Sequence, residues 1–448
     1  MNGTLSPAPL STVLQWIAKR AKDKTFEFWT LAHHITKEML WDSFRRLRKD
    51  AAAGVDGQTA TEYARNLAVN LEGLHRRLKE QQYRAPAVRR VWIPKGDGKG
   101  QRPLGIPTLE DKIVQRAVVT LLEGIYEEEF YDFSYGYRKG KSCHKALEAL
   151  WQHTMNGMQW VIDADISDYF TTIDHAHLRK FLGERVKDQS IIRLIGKWLN
   201  AGILEDEMLT YPDRGTPQGG VISPLLANIY LHYVLDKWFA EVVKPRLKGK
   251  AHLVRVADDF VIGCEREDDA RRILEVLPKR LAKYDLTIHP TKTRLLDFRR
   301  PKLGAAKGKD AFDFLGFRHH WMKSRRGNWI VKRKTEPKRL RRTLKRIRDW
   351  CRENRHRPVR EQHKTLNVRL RGHYNYFGVT GNYRALQAVL RWAERQWFMW
   401  LNRRGSKPRS WQLFRDTVLV TFPLPRPGIL HSALAPIQCS LQVSKCSC

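Results

Sequence analysis

Residues 253–264 read "LVRVADDFVIGC": two adjacent carboxylates, Asp258 and Asp259, with apolar runs on both sides. Moving an ionised carboxylate out of water costs several kcal/mol even after relaxation, and two neighbours repel each other as well. A pattern that buries such a pair needs a reason. The aspartates can cap a tight turn and stay solvated. They can form a carboxylate pair for general acid–base chemistry. Or they can ligate Mg²⁺, a hard cation that takes oxygen ligands and offsets their repulsion.

A second stretch favours the metal. "QWVIDADISDYF" (159–170) alternates as a strand, with Trp160, Ile162, Ala164 and Ile166 facing one way and Val161, Asp163 and Asp165 the other. The run 253–264 reads as two short strands joined at Ala257–Asp259. If these strands are neighbours in one sheet, Asp165, Asp258 and Asp259 converge. Three carboxylates suit two Mg²⁺ ions about 3.5–4 Å apart, the arrangement of in-line phosphoryl or nucleotidyl displacement.

The charge balance points the same way. The chain has 448 residues, with 82 Lys and Arg against 47 Asp and Glu, a net charge of +35. A solvated surface needs no such excess, and nucleic acid is the commonest polyanion to balance it. A hydrophobic content of 42% is enough to bury a core, which excludes global disorder. No run approaches the roughly 18 apolar residues of a membrane span, and the N-terminus lacks the apolar core of a signal peptide. Six cysteines do not suggest a disulfide framework. Cys439, Cys446 and Cys448 lack zinc-site spacing and read as part of a frayed tail. A reducing, intracellular setting follows, expected to be cytoplasmic.

Working outward, residues 12–82 read as mainly helical with basic patches such as "FRRLRKD". "RRVWIPKGDGKGQRPLGIPT" (89–108) reads as strand, turn, strand. A mixed α/β region therefore spans roughly 89–318, with "FDFLGF" as its last strand-like piece after a linker near "PKLGAAKGKD". Beyond it the composition shifts: residues 299–360 hold 23 Lys or Arg and 5 Asp or Glu. Leu340, Leu344, Ile347 and Cys351 fall at helical spacing with basic residues between them. A second helix is expected over 383–401. Trp350, Trp392, Trp397 and Trp400 are expected mostly in the core of this bundle, with exposed Arg and Lys carrying any affinity for nucleic acid.

Nine motifs in order carry a resemblance: "GVDGQT" (54–59), "IPKGDGKGQRPLGIPT", "FSYGYRKGKSCHKAL", "DADISDYFTTIDH", "GTPQGGVISPLLANIYL", "VRVADDFVIG", "LTIHPTKTRLLDF", "FDFLGF" and "LRGHYNYFGVTGNYRAL". Over roughly residues 40–425 the chain resembles the group II intron-encoded reverse transcriptases, or maturases. The resemblance implies an α/β (α+β) right-hand polymerase, with fingers and palm on a mixed sheet followed by a helical thumb. It divides the chain into a helical extension of the fingers (1–88), fingers and palm (89–318), thumb or maturase domain X (319–402) and a short C-terminal extension (403–448) without an endonuclease.

Residue by residue, the resemblance makes Asp165, Asp258 and Asp259 the metal-binding triad, with the carbonyl of Ile166 as a further ligand of two Mg²⁺ ions, for which Mn²⁺ can substitute. Lys95 and Arg102 match the grip on the dNTP triphosphate, Phe170 the steric gate against a 2′-hydroxyl, and Gln218 and Gly219 the lining of the dNTP site. Lys292 matches another active-region position. Val256 departs from the family, which usually has Tyr before "ADD", and so touches template–primer contact or rate rather than reaction type. Arg339, Arg342, Lys345 and Arg346 are expected to bind RNA.

The implied function is RNA-directed DNA polymerisation, with maturase binding of intron RNA that assists splicing and mobility. Partners are intron RNA, an RNA template, a DNA primer or target and dNTPs, without a membrane, and the chain is a monomer or homodimer. A splicing-only maturase with a weak or silent polymerase, and a domesticated reverse transcriptase in defence or repair, stand as alternatives. No second-strand DNA cleavage is expected of this polypeptide.

Overall fold

Strand-forming segments are short, and in the computed structural model they build three sheets among the described residues. The structure describes residues 10–94, 100–205, 208–211, 214–216, 219–302, 308, 310–324, 326–405 and 409–431. The strands are β1 (Val88–Pro94), β2 (Gln101–Ile106), β3 (Trp160–Asp165), β4 (Ile203–Glu205), β5 (Met208–Thr210), β6 (Ala251–Val256), β7 (Asp259–Cys264), β8 (Arg294–Asp297), β9 (Ala311–Phe314), β10 (Phe317–Lys323) and β11 (Trp329–Thr335). The chain divides into two units.

The first unit takes in residues up to Ala146, Ile162–Ile262 and Arg266–Leu295. It opens with helices Leu10–Ala21, Lys37–Arg46, Ala60–Ala64 and Leu67–Lys79. Their starts are written locally: Thr36 caps the second, and Thr59 with Glu62 forms a capping box on the third. One sheet has the order β2-β1-β4-β5, in which β1 and β2 form the expected antiparallel hairpin, with Ile93 opposite Arg102. Helix Leu109–Glu129, capped by Thr108, is buried on most of its surface. Its apolar residues from Ile113 to Tyr126 are buried almost without a break, which places this helix in the core.

A second sheet has the order β6-β7-β3-β8. The strand expected over 159–170 is shorter, Trp160–Asp165, and Val161 is buried along with Trp160, Ile162 and Ala164. Alternation fails there because both faces of the sheet are covered at that end.

The second unit comprises Leu147–Val161, Gly263–Glu265 and the chain from Leu296. Its sheet runs β11-β10-β9, antiparallel throughout. Two expectations are corrected here. "FDFLGF" is not one strand but a hairpin: Leu315 and Gly316, both at positive φ (50° and 79°), turn β9 into β10. Residues 319–335, expected within the helical thumb, are largely β10 and β11. Phe317, His319 and Trp321 in one strand and Trp329, Val331 and Arg333 in the other alternate inward, while the Lys and Arg between them face water. Most of the expected linker at 301–310 lies outside the described residues.

Three helices follow, Pro337–Glu353, Val359–Phe377 and Tyr383–Leu401, the last with the bounds the apolar spacing indicates. Trp397 is fully buried, and its Nε1 donates to Gln362 Oε1 at 2.9 Å. Trp392 Nε1 donates to Leu344 O at 2.9 Å. Trp350, Trp392 and Trp400 are only half-buried, so the core carries one of the four tryptophans whole rather than most of them. An indole is large and carries one polar N–H, which holds it at core margins. No helix among the described residues is long and apolar enough to cross a membrane.

Candidate active site

β3 and β7 are neighbours, so the two stretches singled out by their carboxylates meet in one sheet. Asp165 ends β3 and Asp259 begins β7, while Ala257 and Asp258 form the two-residue turn from β6. The aspartate pair is not buried, contrary to the expectation. Val256, Ala257, Asp258 and Asp259 are half-buried, whereas Phe260–Cys264 are buried. The apolar runs enter the sheet and the turn carries the carboxylates to its rim, where water still reaches them. A turn and a metal-binding pair are thus compatible descriptions of the same residues.

Desolvation leads the electrostatics of this rim. Burial pushes the Asp258 carboxyl above its ordinary range, and the charge of Asp165 adds to that, against a backbone hydrogen bond and the pull of Arg255 and Lys292. Lys292, from "HPTKT", places Nζ 2.5 Å from Asp165 Oδ2. Asp165 O accepts from His289 N, and Ser167 N donates to Thr287 O, both at 2.8 Å, on either side of the Ile166–Ile288 bridge. That pattern turns the Ile166 carbonyl away from the 287–289 segment.

Three carboxylates and a carbonyl are the hard oxygen donors that Mg²⁺ takes. The ammonium of Lys292 already stands against one of them as a cation, so the residues fit the ion. Among the described residues, the one set of three donors lying within 4.8 Å of one another is elsewhere: Asp174, His177 and Asp285. There Asp174 caps helix His175–Gly183, accepting from His177 N at 2.7 Å, and Asp285 faces Arg214 at 3.4 Å. With Lys292 on Asp165, the expected triad is more open than that.

Phe170 lies in the short helix Tyr169–Thr172 just after β3 and is half-buried. Its carbonyl accepts from Thr216 N at 2.8 Å, tying it to the "GTPQGG" segment. Gly219 has φ +113°, and a Cβ there would stand 2.5 Å from Gly105 O of β2. The backbone at this glycine thus lies close against a neighbouring strand. Arg102 is exposed on β2. Lys95 and Gln218 lie outside the described residues, as do Cys439, Cys446 and Cys448. In the second unit, Arg339, Lys345 and Arg346 are exposed on helix Pro337–Glu353 and Arg342 is half-buried.

Two residues escaped the sequence reading. Tyr137, exposed and at φ 56°, has its hydroxyl pKa raised, first by local desolvation and then by the charge of Asp258, with Arg102 pulling it back. It therefore sits within reach of both charges, and nothing in "FSYGYRKG" announces that. Arg255 is fully buried beside the turn. A charge inside the apolar run 253–264 was the available signal, and it demanded a partner as much as the aspartates did.

The rim of this sheet gathers these carboxylates, and Asp258 and Arg102 both act on the Tyr137 hydroxyl beside it. Residues 93–319 match the model of the reverse transcriptase (RNA-dependent DNA polymerase) family, and residues 340–417 that of the group II intron maturase-specific domain. The chain belongs to the reverse transcriptase family and carries a group II intron maturase-specific domain after it. It is similar to the group II intron-encoded protein LtrA of Lactococcus lactis, 33% identical over 287 residues, covering 61% of this chain and 47% of that protein. The match thus spans about half the length of LtrA. Protein YkfC of Escherichia coli is 35% identical over 315 residues, 62% of this chain and 78% of YkfC. Nuclear intron maturase 3, mitochondrial, of Arabidopsis thaliana is 32% identical over 154 residues, 34% of this chain and 21% of the maturase.

Proposed function

We propose that this protein is an RNA-directed DNA polymerase that extends a DNA primer on an RNA template, with a maturase role in binding intron RNA for splicing and mobility. Its working parts are those the resemblance implies: a helical extension of the fingers over 1–88, fingers and palm over 89–318, and a thumb or maturase domain over 319–402. Held by Asp165, Asp258, Asp259 and the Ile166 carbonyl, two Mg²⁺ ions would activate the primer 3′-hydroxyl and neutralise charge on the triphosphate and departing pyrophosphate.

The remaining work falls to side chains. Lys292 orients Asp165 and neutralises it. Arg102 grips the triphosphate together with Lys95, since a guanidinium offers bidentate donors to phosphate oxygens. The Phe170 ring, packed under the sugar C2′, leaves no room for a 2′-hydroxyl and so selects dNTPs. Gln218 and Gly219 line the same site, and Val256, where the family usually has Tyr, bears on template–primer contact, fidelity or rate rather than on reaction type. Arg339, Arg342, Lys345 and Arg346 hold RNA through phosphates.

The observation that supports this reading best is the adjacency of β3 and β7, which brings Asp165 to bear on Asp258. Mg²⁺-dependent primer extension on an RNA template tests it, comparing the intact protein with Asp258→Asn/Asp259→Asn while RNA binding is assayed on the same preparations. Extension is expected to fall by at least about 10³-fold with RNA affinity unchanged. An intact protein that binds RNA yet extends no primer across divalent ions and salt would leave the splicing-only maturase.

A further inference from the structure

Arg255 spends every N–H donor of its guanidinium inside the protein. Nε and Nη2 reach Asp236 Oδ1 and Oδ2 at 2.8 and 2.5 Å, and Nη2 also reaches Ser134 Oγ at 2.8 Å. Nη1 donates to Asn228 Oδ1 and to Ala257 O, both at 3.0 Å. Arg255 and Asp236 are both fully buried. A buried ion pair of this kind is weak as a stability device, because well-packed apolar residues often do as well. Its retention here calls for another role.

What the network surrounds is the turn that carries the aspartates. Ala257 sits at φ 57°, a left-handed conformation that a side chain with a Cβ disfavours. Its carbonyl is the one Arg255 holds. Behind the turn lies Gly136, where a Cβ would stand 2.3 Å from Ala257 N. Asn228, bonded to Arg255 on one side, donates its Nδ2 to Gly136 O at 2.6 Å on the other. The segment before Gly136 is laced to β6 as well, with Arg255 N donating to Phe133 O at 2.9 Å and Tyr135 N to Arg255 O at 2.8 Å. Arg255 is therefore the common member of these contacts apart from two, Gly136 against Ala257 and Asn228 Nδ2 to Gly136 O.

We propose that the Arg255–Asp236 pair is a positioning device: through Ala257 O, Asn228 and Gly136 it holds the Ala257–Asp258 turn in its strained form, so that Asp258 and Asp259 present their carboxylates to divalent metal. It touches neither substrate nor metal. The inference rests on the polymerase reading for its catalytic consequence, but its metal consequence can be read separately. A rigid turn presents its ligands already placed, whereas a loose one must be ordered on binding.

The test pairs two readouts on the full chain, Mn²⁺ binding followed by electron paramagnetic resonance and primer extension with kcat and KM for dNTP separated. Arg255→Met/Asp236→Leu removes both charges, so no unpaired ion is left buried. It should fold, bind template–primer within threefold of wild type, and keep its KM for dNTP. Its Mn²⁺ half-saturation should rise at least fivefold and its kcat fall at least tenfold. Arg255→Lys keeps the charge without the fork, and should show a fivefold or greater loss in the same two readouts. If the double variant fails to fold, Arg255→Lys decides. A folded variant with Mn²⁺ affinity and kcat within twofold of wild type overturns the proposal. If the wild type extends no primer, the polymerase reading fails by itself, and the Mn²⁺ shift, with Asp258→Asn/Asp259→Asn as the non-binding reference, decides the positioning role alone.

Discussion

At the turn after β6, Arg255 is closed off from water and bonded at every donor, whereas on helix Pro337–Glu353, Lys345 and Arg346 stand exposed and Arg339 faces Glu336 at 3.5 Å. The two regions divide the net charge of +35 into two kinds. A cation that is fully bonded can stay charged in the interior and hold a backbone in place. A cation left in water holds nothing inside the protein, and keeps its charge for a partner. A third kind of residue marks the boundary between them. His319 is fully buried with neither ring nitrogen hydrogen-bonded, and burial pushes its pKa down to about 3. Without partners, the buried group gives up its charge.

The largest expected effect tests that last rule. Burial also lowers His232 to about 3 and His373 to about 4. In the unfolded chain each ring takes a proton near pH 6.5. Between these values the unfolded state holds more protons than the folded one. Stability contributed by the three neutral rings is therefore present above pH ~6.5 and lost as pH falls, at about 4 kcal/mol per unit once all three differ. Buried Asp111, its carboxyl pushed up to about 6, opposes this by about a third over the same window, so thermal melts between pH 7.5 and 4.5 should show a net fall in Tm below about pH 6. A flat Tm down to pH 5 would break the distinction between bonded and unbonded buried cations.

The next two predictions set one region against the other. Gly136→Ala places a methyl 2.3 Å from Ala257 N, so the aspartate turn has to shift. Displacements of this order cost on the order of 10²-fold in rate. Extension kcat should fall by about that factor while RNA affinity holds. Lys345→Ala/Arg346→Ala should do the reverse: RNA affinity falls roughly tenfold and the slope of log K against log salt shrinks by about 1 to 2, with kcat on saturating template–primer unchanged. Equal losses of affinity and rate in both variants would erase the comparison.

The smallest effect uses the same substitution in the other region. Gly372 lies in helix Val359–Phe377 with nothing within 4 Å of an added Cβ. Gly372→Ala should raise stability by about 0.5–1 kcal/mol, as for glycine in a helix interior. Denaturant midpoints check it, and a loss would mean that the face at Gly372 is covered.

Much of the site was readable because its chemistry is local. Asp165, Asp258 and Asp259 stand out as charges in apolar runs, and the hairpin over 89–108 announces itself by its turn residues. The helix over 383–401 shows its apolar face at regular spacing. What escaped is non-local. Lys292 and Asp165 are 127 residues apart in sequence, and Arg255 is bonded to Ser134 across 121. Residues 319–335 were missed as strands because the resemblance placed them in a helical thumb and their inward positions include polar residues, His319 and Arg333.

By itself, then, the sequence determined the chemistry at hand: oxygen ligands for a hard metal, cations in excess for a polyanion, and elements with periods of 2.0 and 3.6 to carry them. Only the tertiary structure decided how those ligands are held. Patterning states which residues leave water, but not which buried polar group meets which. An isolated Arg in a strand and an isolated Asp in a helix each read as a cost. Together, at 2.5 and 2.8 Å and closed from solvent, Arg255 and Asp236 become the support of a strained turn. The reason is that a hydrogen bond needs both partners at one point in space, and that point exists only once the chain has folded.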